Sequence, residues 1–316
     1  MKVLIFGASG QLGRCLQDRQ PEGWTLLCPS SSEVNITDQA AVQAYIENAT
    51  PHLIINACAY NAVDLAQSNV ALAMAVNAEG PRHVAQAAVQ VGAKLLHVST
   101  DYVFDGKATK PYGESACANP INVYGTSKRA GELAVLRALP DPHYAALPPS
   151  LSGLVVPPSW PTEGSQSKPA SLHQFQSIVL RTAWLYSEYS GNFVKTMLRL
   201  AAQGKAIHVV DDQIGSPTYA GDLADAIIQL SQRPDVPGGI YHYSGATALS
   251  WHGFAQRIFQ AAGLTPALVP ITSAQYPSIA ARPKYSALSC AKIRQYGIHA
   301  KPVDASLPEV VRKCLR

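Results

Sequence analysis

The sequence predicts an α/β fold: a doubly wound parallel sheet with a smaller C-terminal lobe. Three observations carry this. Short apolar, β-rich runs alternate with segments of helical period through residue 139, the order that builds parallel sheets. Residues 52–59 (HLIINACA) are almost continuously apolar, as in a strand buried on both faces. A glycine-spaced turn, Gly7-Ala8-Ser9-Gly10-Gln11-Leu12-Gly13, lies between the first strand and the first helix.

Taken in order, residues 2–6 form the first strand, and Leu12 and Leu16 continue as a helix. The second strand is 24–28. A helix over 40–49 follows Asn35-Ile36-Thr37-Asp38, where Thr37 or Asp38 supplies the N-cap. The third strand is 52–59, a long helix carrying Asn77 covers 71–91, and the fourth strand is 94–98. The run 122–139 is a helix, because Ala130, Leu133, Ala134, Leu136 and Leu139 recur at helical spacing. Residues 140–174 then break the pattern. They are rich in Pro, Ser, Leu and Ala without periodicity, and read as an exposed irregular insertion. Its functional reading is a lid or partner contact through Trp160; the plainer one is an insertion without chemical role. Strands at 177–186, 207–210 and 239–244 follow, with helices at 192–202, 219–230, 250–262, 287–296 and 306–315, the last basic and amphipathic.

At 316 residues and 47% hydrophobic, the chain can bury one large core or two modest ones. The net charge of +4 comes with no Lys/Arg run, which argues against nucleic-acid or anionic-membrane partners. A phosphorylated small molecule satisfies this balance. The six cysteines are scattered without C-x-x-C, and the nine histidines lack ligand spacing. Neither a metal site nor a disulfide framework is expected, and a reducing cytoplasm fits. With no long apolar leader and no unbroken run of eighteen apolar residues, a cytosolic protein is expected.

Strand, glycine turn and helix are the context of a dinucleotide site, so the fold is Rossmann-like. The spacing is G-x-x-G-x-x-G rather than G-x-G-x-x-G. Glycines let the backbone approach a pyrophosphate, and the helix N-terminus offers N–H groups. Gly7, Ser9, Gly10, Gln11, Leu12, Gly13 and Arg14 are therefore cofactor candidates. The second strand ends in Cys28-Pro29-Ser30-Ser31-Ser32, with no acid before Glu33. Nothing there repels a 2′-phosphate, and Arg14 can reach one, which points to NADPH with NADH as the alternative. Asn35 and Ile36 border the adenine, and Ala57, Ala59 and Tyr60 follow the third strand, where a backbone can pass along a cofactor. Ser99-Thr100-Asp101-Tyr102 opens from the fourth strand, at the carboxyl end where such sheets bind ligands.

Tyr124 and Lys128 lie four residues apart, on one helix face. An ammonium near a phenol, with an oxidised cofactor as further positive charge, favours the phenolate and brings it within reach of acid–base work.

STDYVFDG (99–106), NVYGTSK (122–128), RTAWLY (181–186), NFVKTMLRLA (192–201), DDQIGSPT (211–218) and ARPKYSALS (281–289) occur in that order. On these the chain resembles the dTDP-4-dehydrorhamnose reductase family of extended short-chain dehydrogenases/reductases, over nearly all of its length except 140–174. The resemblance implies an NADP-binding Rossmann domain over 1–186, with 219–245 returning to it, and a nucleotide-sugar-binding lobe of 187–218 and 246–316. It implies reduction of a 4-keto sugar, with Tyr124 as proton donor, Thr100 on the same oxygen, and Lys128 on Tyr124 and the nicotinamide ribose. Ser99 joins the cofactor set. Val63, Asp101, Tyr102, Trp184, Asn192, Gln213 and Arg282 form the substrate set, Arg282 as a candidate for the diphosphate. A dTDP-sugar is the implied partner, and the protein a monomer or homodimer.

Two departures matter. Where members often read AVDKAE, this chain has Ala62-Val63-Asp64-Leu65-Ala66-Gln67, so no charge role passes to 65 or 67. Some members bind Mg²⁺ between subunits through glutamates, one of them at the position of Cys15, which leaves the metal and the dimer built on it in doubt. The alternatives are another nucleotide-sugar 4-ketoreductase or epimerase, and a non-catalytic NADP-binding regulator like the methionine adenosyltransferase β subunit. That subunit has a serine at the position of Thr100.

Overall fold

The computed structural model describes residues 1–138 and 177–316. Strand β1 (Lys2–Phe6) turns through the glycines into helix α1 (Gln11–Asp18), and the chain returns in β2 (Thr25–Leu27). Helix α2 (Gln39–Ala49) begins at Asp38, whose carboxylate accepts from Ala41 N at 3.0 Å and so satisfies one free N–H of the first turn. β3 (Leu53–Asn56) leads to α3 (Val63–Ser68) and α4 (Val70–Met74). α4 passes through a π turn (Ala75–Glu79) into α5 (Gly80–Val91). The long helix expected over 71–91 is thus present but widened part-way. Pro81 has no N–H for the carbonyl of Asn77 four residues back, and a lost bond of this kind is where helices widen. β4 (Lys94–Thr100) and α6 (Val123–Arg137) complete the first half. The predicted insertion at 140–174 lies outside the described residues.

The second half contains β5 (Ser177–Thr182), β6 (Leu185–Tyr186), α7 (Phe193–Ala201), β7 (Ile207–Val210), β8 (Ile214–Gly215), β9 (Thr218–Tyr219) and α8 (Ala220–Ser231). It continues with β10 (Gly239–His242), β11 (Leu249–Ser250), α9 (Trp251–Ala262), β12 (Leu268–Ile271), α10 (Ala291–Arg294) and α11 (Val303–Cys314). No helix among the described residues is long and apolar enough to cross a membrane.

Six parallel strands form the central sheet in the order β10-β5-β4-β3-β1-β2. Alternate residues of β1 serve its two faces. Val3 and Ile5 pack with Leu12 and Leu16 of α1 and Leu223 and Ile227 of α8. Leu4 and Phe6 pack with Val42 and Ile46 of α2, Val84 of α5 and Val135 of α6. The winding reverses between β1 and β3, so their carboxyl ends flank the crevice where doubly wound sheets bind ligands. A further core gathers Tyr186, Val194, Met197, Ile207, Phe254, Ile258 and Val310, from β6, α7, β7, α9 and α11.

Some elements differ from the sequence reading. The strand expected over 177–186 is broken, because Trp184 takes φ +46, a left-handed conformation that costs a non-glycine residue about 1–3 kcal/mol. β6 then leaves the sheet and pairs with β9. The helix expected over 287–296 is reduced to the four residues of α10. Its first half is held extended: Tyr112 N donates to Ala287 O at 2.9 Å and Ser289 N to Tyr112 O at 2.8 Å. α11 starts before residue 306 because Val303 is already buried in the smaller core. β12 was not expected, and it pairs in parallel with β7.

Candidate active site

A cavity of about 900 Å³ opens at the carboxyl ends of β1, β3, β4 and β5. Its floor begins at the glycine turn. Gly7 has φ +80, and a Cβ there would lie 2.8 Å from the Ala57 backbone, so the ends of β1 and β3 meet as they do only because residue 7 is glycine. Gly10 caps α1 without a side-chain hydrogen bond, which leaves the first-turn N–H groups for an anion. Ser30, Ser31 and Arg14 line the far end, with Arg14 over the Tyr189 ring at 5.2 Å. Glu33 is turned back on its own loop, accepting from Ser30 N at 2.7 Å.

At the other end, β4 delivers Thr100 and α6 delivers Tyr124. Asn122 caps α6, accepting from Gly125 N at 2.7 Å, and donates to Ala281 O at 2.7 Å. Gln67 Oε1 accepts from Val123 N at 2.7 Å, so the neutral residue at 67 has a capping use of its own. A Cβ on Gly125 would fall 2.1 Å from Tyr102 O, and this close approach brings Tyr124 beside Thr100. The Thr100 hydroxyl lines the cavity with Tyr124, works to lower the phenol's pKa, and donates to Asp101 Oδ1 at 3.0 Å. The Tyr124 and Tyr102 rings meet edge to face at 5.6 Å.

Lys128 lies one turn on and is 2% exposed. Its Nζ donates to Val98 O at 2.6 Å and sits 3.5 Å from His97 Nε2. Burial lowers it to about 8, against the opposing charge of Glu132. Burial also pushes the Tyr124 phenol up to about 12; the Thr100 hydroxyl opposes this and the Asp101 charge adds to it. The Lys128 charge is not among the causes of this shift. The long side chain runs beneath β4 to a backbone carbonyl, and desolvation of the phenol wins. Asp101 is raised to about 6 by burial, against hydrogen bonds from Ser286 and Thr100.

Of the expected residues, Gly7, Ser9, Gly10, Gln11, Leu12, Gly13, Arg14, Asn35, Ile36, Ala57, Ala59 and Ser99 line the cavity. So do Val63, Thr100, Asp101, Tyr102, Tyr124, Lys128 and Trp184. Four do not. Tyr60 has its backbone tied to buried Asn77, whose Oδ1 accepts from Tyr60 N at 2.8 Å. Asn192 caps α7 and donates to Gln11 Oε1 at 3.0 Å. Gln213 is buried and is not part of the cavity wall. Arg282 is paired with Asp64 at 2.7 Å and its charge acts on the Tyr102 phenol, so it stands next to the wall without forming it. Phe193 and Trp251, which the sequence reading missed, line the cavity too; in sequence they look like ordinary apolar helix starts.

Position 15 does not fit a Mg²⁺ site. Cys15 is fully buried and its thiol is pushed up to about 12 by burial and then by Glu188. A protonated soft donor is not a ligand for a hard cation. The Glu188 carboxylate is taken by Lys313 at 2.8 Å and the Tyr219 hydroxyl at 3.2 Å.

The sequence matches the family described as RmlD substrate binding domain over residues 1–144 and 169–316. A dTDP-4-dehydrorhamnose reductase from Aggregatibacter actinomycetemcomitans is 37% identical over 322 residues, 98% of each chain. The chain belongs to the dTDP-4-dehydrorhamnose reductase family. It is an oxidoreductase. The crystal structure of the family's Clostridium acetobutylicum protein superposes with a TM-score of 0.86 at 31% identity, covering 100% of both chains. That of a Bacillus anthracis member, in complex with NADP, gives 0.82 at 36% identity, covering 99% of this chain and 98% of the other.

Proposed function

We propose that this protein reduces the 4-keto group of dTDP-4-dehydro-L-rhamnose to dTDP-L-rhamnose with NADPH, Tyr124 donating the proton. The observation that carries this reading is the cavity itself, which brings Thr100, Tyr124 and Lys128 into the same wall as the glycine turn. Bound NADPH supplies the hydride that goes to C4 of the sugar. The residues of the turn and the α1 N-terminus would hold its pyrophosphate, Ala57 and Ala59 its middle, and Lys128 its nicotinamide ribose. Tyr124, protonated at neutral pH, gives its proton to the 4-keto oxygen as negative charge develops there, so no free alkoxide forms. Thr100 hydrogen-bonds the same oxygen, and its own proton is otherwise directed to Asp101. The phenolate left behind is reprotonated from solvent. Val63, Asp101, Tyr102 and Trp184 contact the hexose end, and Arg282 reaches the diphosphate by exchanging Asp64 for it.

The test is direct. Purified protein is mixed with dTDP-4-dehydro-L-rhamnose generated in situ, and NADPH or NADH absorbance is followed. Oxidation that depends on the sugar is expected; no oxidation of either cofactor overturns the reading. Preference for NADPH rests on Arg14 and the serine-rich end of the cavity. A charge-assisted hydrogen bond is worth about 1.5–3 kcal/mol, so Arg14→Ala is expected to raise KM for NADPH about 10- to 100-fold and leave that for NADH nearly unchanged. An equal change in both would show that Arg14 does not read the 2′-phosphate.

A further inference from the structure

The Trp184 indole is held in place by Trp251 and by Gly215, the latter within the DDQIGSPT run. Trp184 has φ +46, a conformation kept only where the surroundings over-determine it. Its ring lies flat on that of Trp251, with centroids 3.5 Å apart and planes 3° from parallel. Phe193 supports Trp251 from a tilted position at 4.6 Å. A Cβ on Gly215 would meet the Trp184 ring at 2.3 Å from Cε2 and 2.4 Å from Nε1, so the ring occupies the space a side chain at 215 would need. One ladder sets both supports: Leu249 pairs with Gly215 and Ser250 with Ile214, and Trp251 follows directly as the first residue of α9. Ser250 Oγ accepts from Gly253 N at 2.9 Å and fixes that helix start. Trp184 and Trp251 both line the cavity.

We propose that Trp251 and Gly215 are positioning residues that fix the Trp184 indole as a wall for the sugar end of the nucleotide-sugar substrate. The inference rests on the reading that Trp184 contacts the hexose. An indole face presents apolar, polarisable surface to the C–H groups of a pyranose, and its value depends on the ring standing where the sugar will lie. The strained backbone, the stack and the missing side chain at 215 remove the freedom of the indole before substrate arrives, the form of preorganisation that saves ordering cost on binding.

The test uses the full-length enzyme with dTDP-4-dehydro-L-rhamnose and NADPH. Trp251→Leu and Gly215→Ala are each expected to raise KM for the sugar about tenfold, with KM for NADPH unchanged. Trp251→Phe, which keeps an aromatic face, restores most of the loss. Two stacked indoles give a coupled circular-dichroism signal, expected in the wild type and absent from both Trp251 variants. Trp184→Leu separates the two levels. If it raises KM for the sugar while Trp251→Leu and Gly215→Ala do not, the positioning role is overturned and the hexose contact stands. If Trp184→Leu leaves that KM unchanged, the contact fails and the positioning role with it. Gly215→Ala retains both indoles, so the inference stays open to refutation should Trp251→Leu not fold.

Discussion

Tyr124→Phe is expected to lower kcat by about 10²- to 10⁴-fold, the usual contribution of a positioned acid, while NADPH still binds. The substitution removes one oxygen and leaves the ring, so the edge-to-face contact with Tyr102 survives. Gly125 keeps its close approach to Tyr102 O, since neither group changes. The residual rate would come from orientation and from the Thr100 hydroxyl, which remains able to donate to the keto oxygen. The phenol suits the reductive direction because burial and the nearby Asp101 charge push it up to about 12, keeping it protonated at neutral pH. The phenol should therefore remain an acid through neutral pH, and the alkaline fall in rate should come first from Lys128, lowered to about 8. Steady-state kinetics with the 4-keto sugar and a separate titration of NADPH by cofactor fluorescence check this. A variant with near-normal kcat would transfer the role to another acid, and Asp101, raised to about 6 beside Thr100, would be the first to examine.

The grouping of Thr100, Tyr124 and Lys128 in one cavity was legible in the sequence because a four-residue spacing on a helix and a polar cluster at a strand end are local signals. The parallel strands were legible because burial on both faces leaves continuous apolar runs. β12 carries Pro270 and is half-exposed at the edge of a two-stranded pair, so it shows neither alternation nor an apolar run. The helical period at 287–296 was real but lost to tertiary pairing, since the backbone at 287 and 289 bonds to Tyr112 instead. Trp251 could not be read as a cavity residue, because only the β8–β11 ladder brings it to Trp184. One signal in plain view was passed over. Arg181 follows directly on the apolar run Ile178-Val179-Leu180 in a strand buried throughout, and a charge there demands a buried partner.

That partner is Glu132, and Glu132→Ala is expected to destabilise the fold by about 3–5 kcal/mol. Glu132 is 0% exposed and Arg181 1%. The guanidinium grips the carboxylate through Nε–Oε1 and Nη2–Oε2, both 2.7 Å, and Arg129 adds a third contact at 2.7 Å. His242 Nε2 lies 3.3 Å from Arg181, and burial holds that imidazole at about 3, so it stays neutral and cannot replace the carboxylate. Burial alone would raise the Glu132 carboxyl, but the Arg181 and Arg129 charges hold it far below the usual range. A carboxyl whose folded value is depressed adds stability above its unfolded value, near pH 4.3, and loses it as pH falls toward the folded one. The wild type should therefore lose stability steeply on acidification below about pH 4, and Glu132→Ala, already destabilised, should lose less in that window. Urea denaturation at several pH values measures both effects; a midpoint close to wild type would show that the pair contributes nothing. Replacing both partners by apolar residues, Glu132→Leu with Arg181→Met, should recover part of the stability, because the Arg181 charge is no longer stranded while Arg129 still loses its carboxylate. It should not recover full activity. Glu132 lies one turn from Lys128 and is the largest of the charges that keep the lysine protonated against its burial. Without it, the ammonium expected to meet the cofactor ribose would be lost at a lower pH.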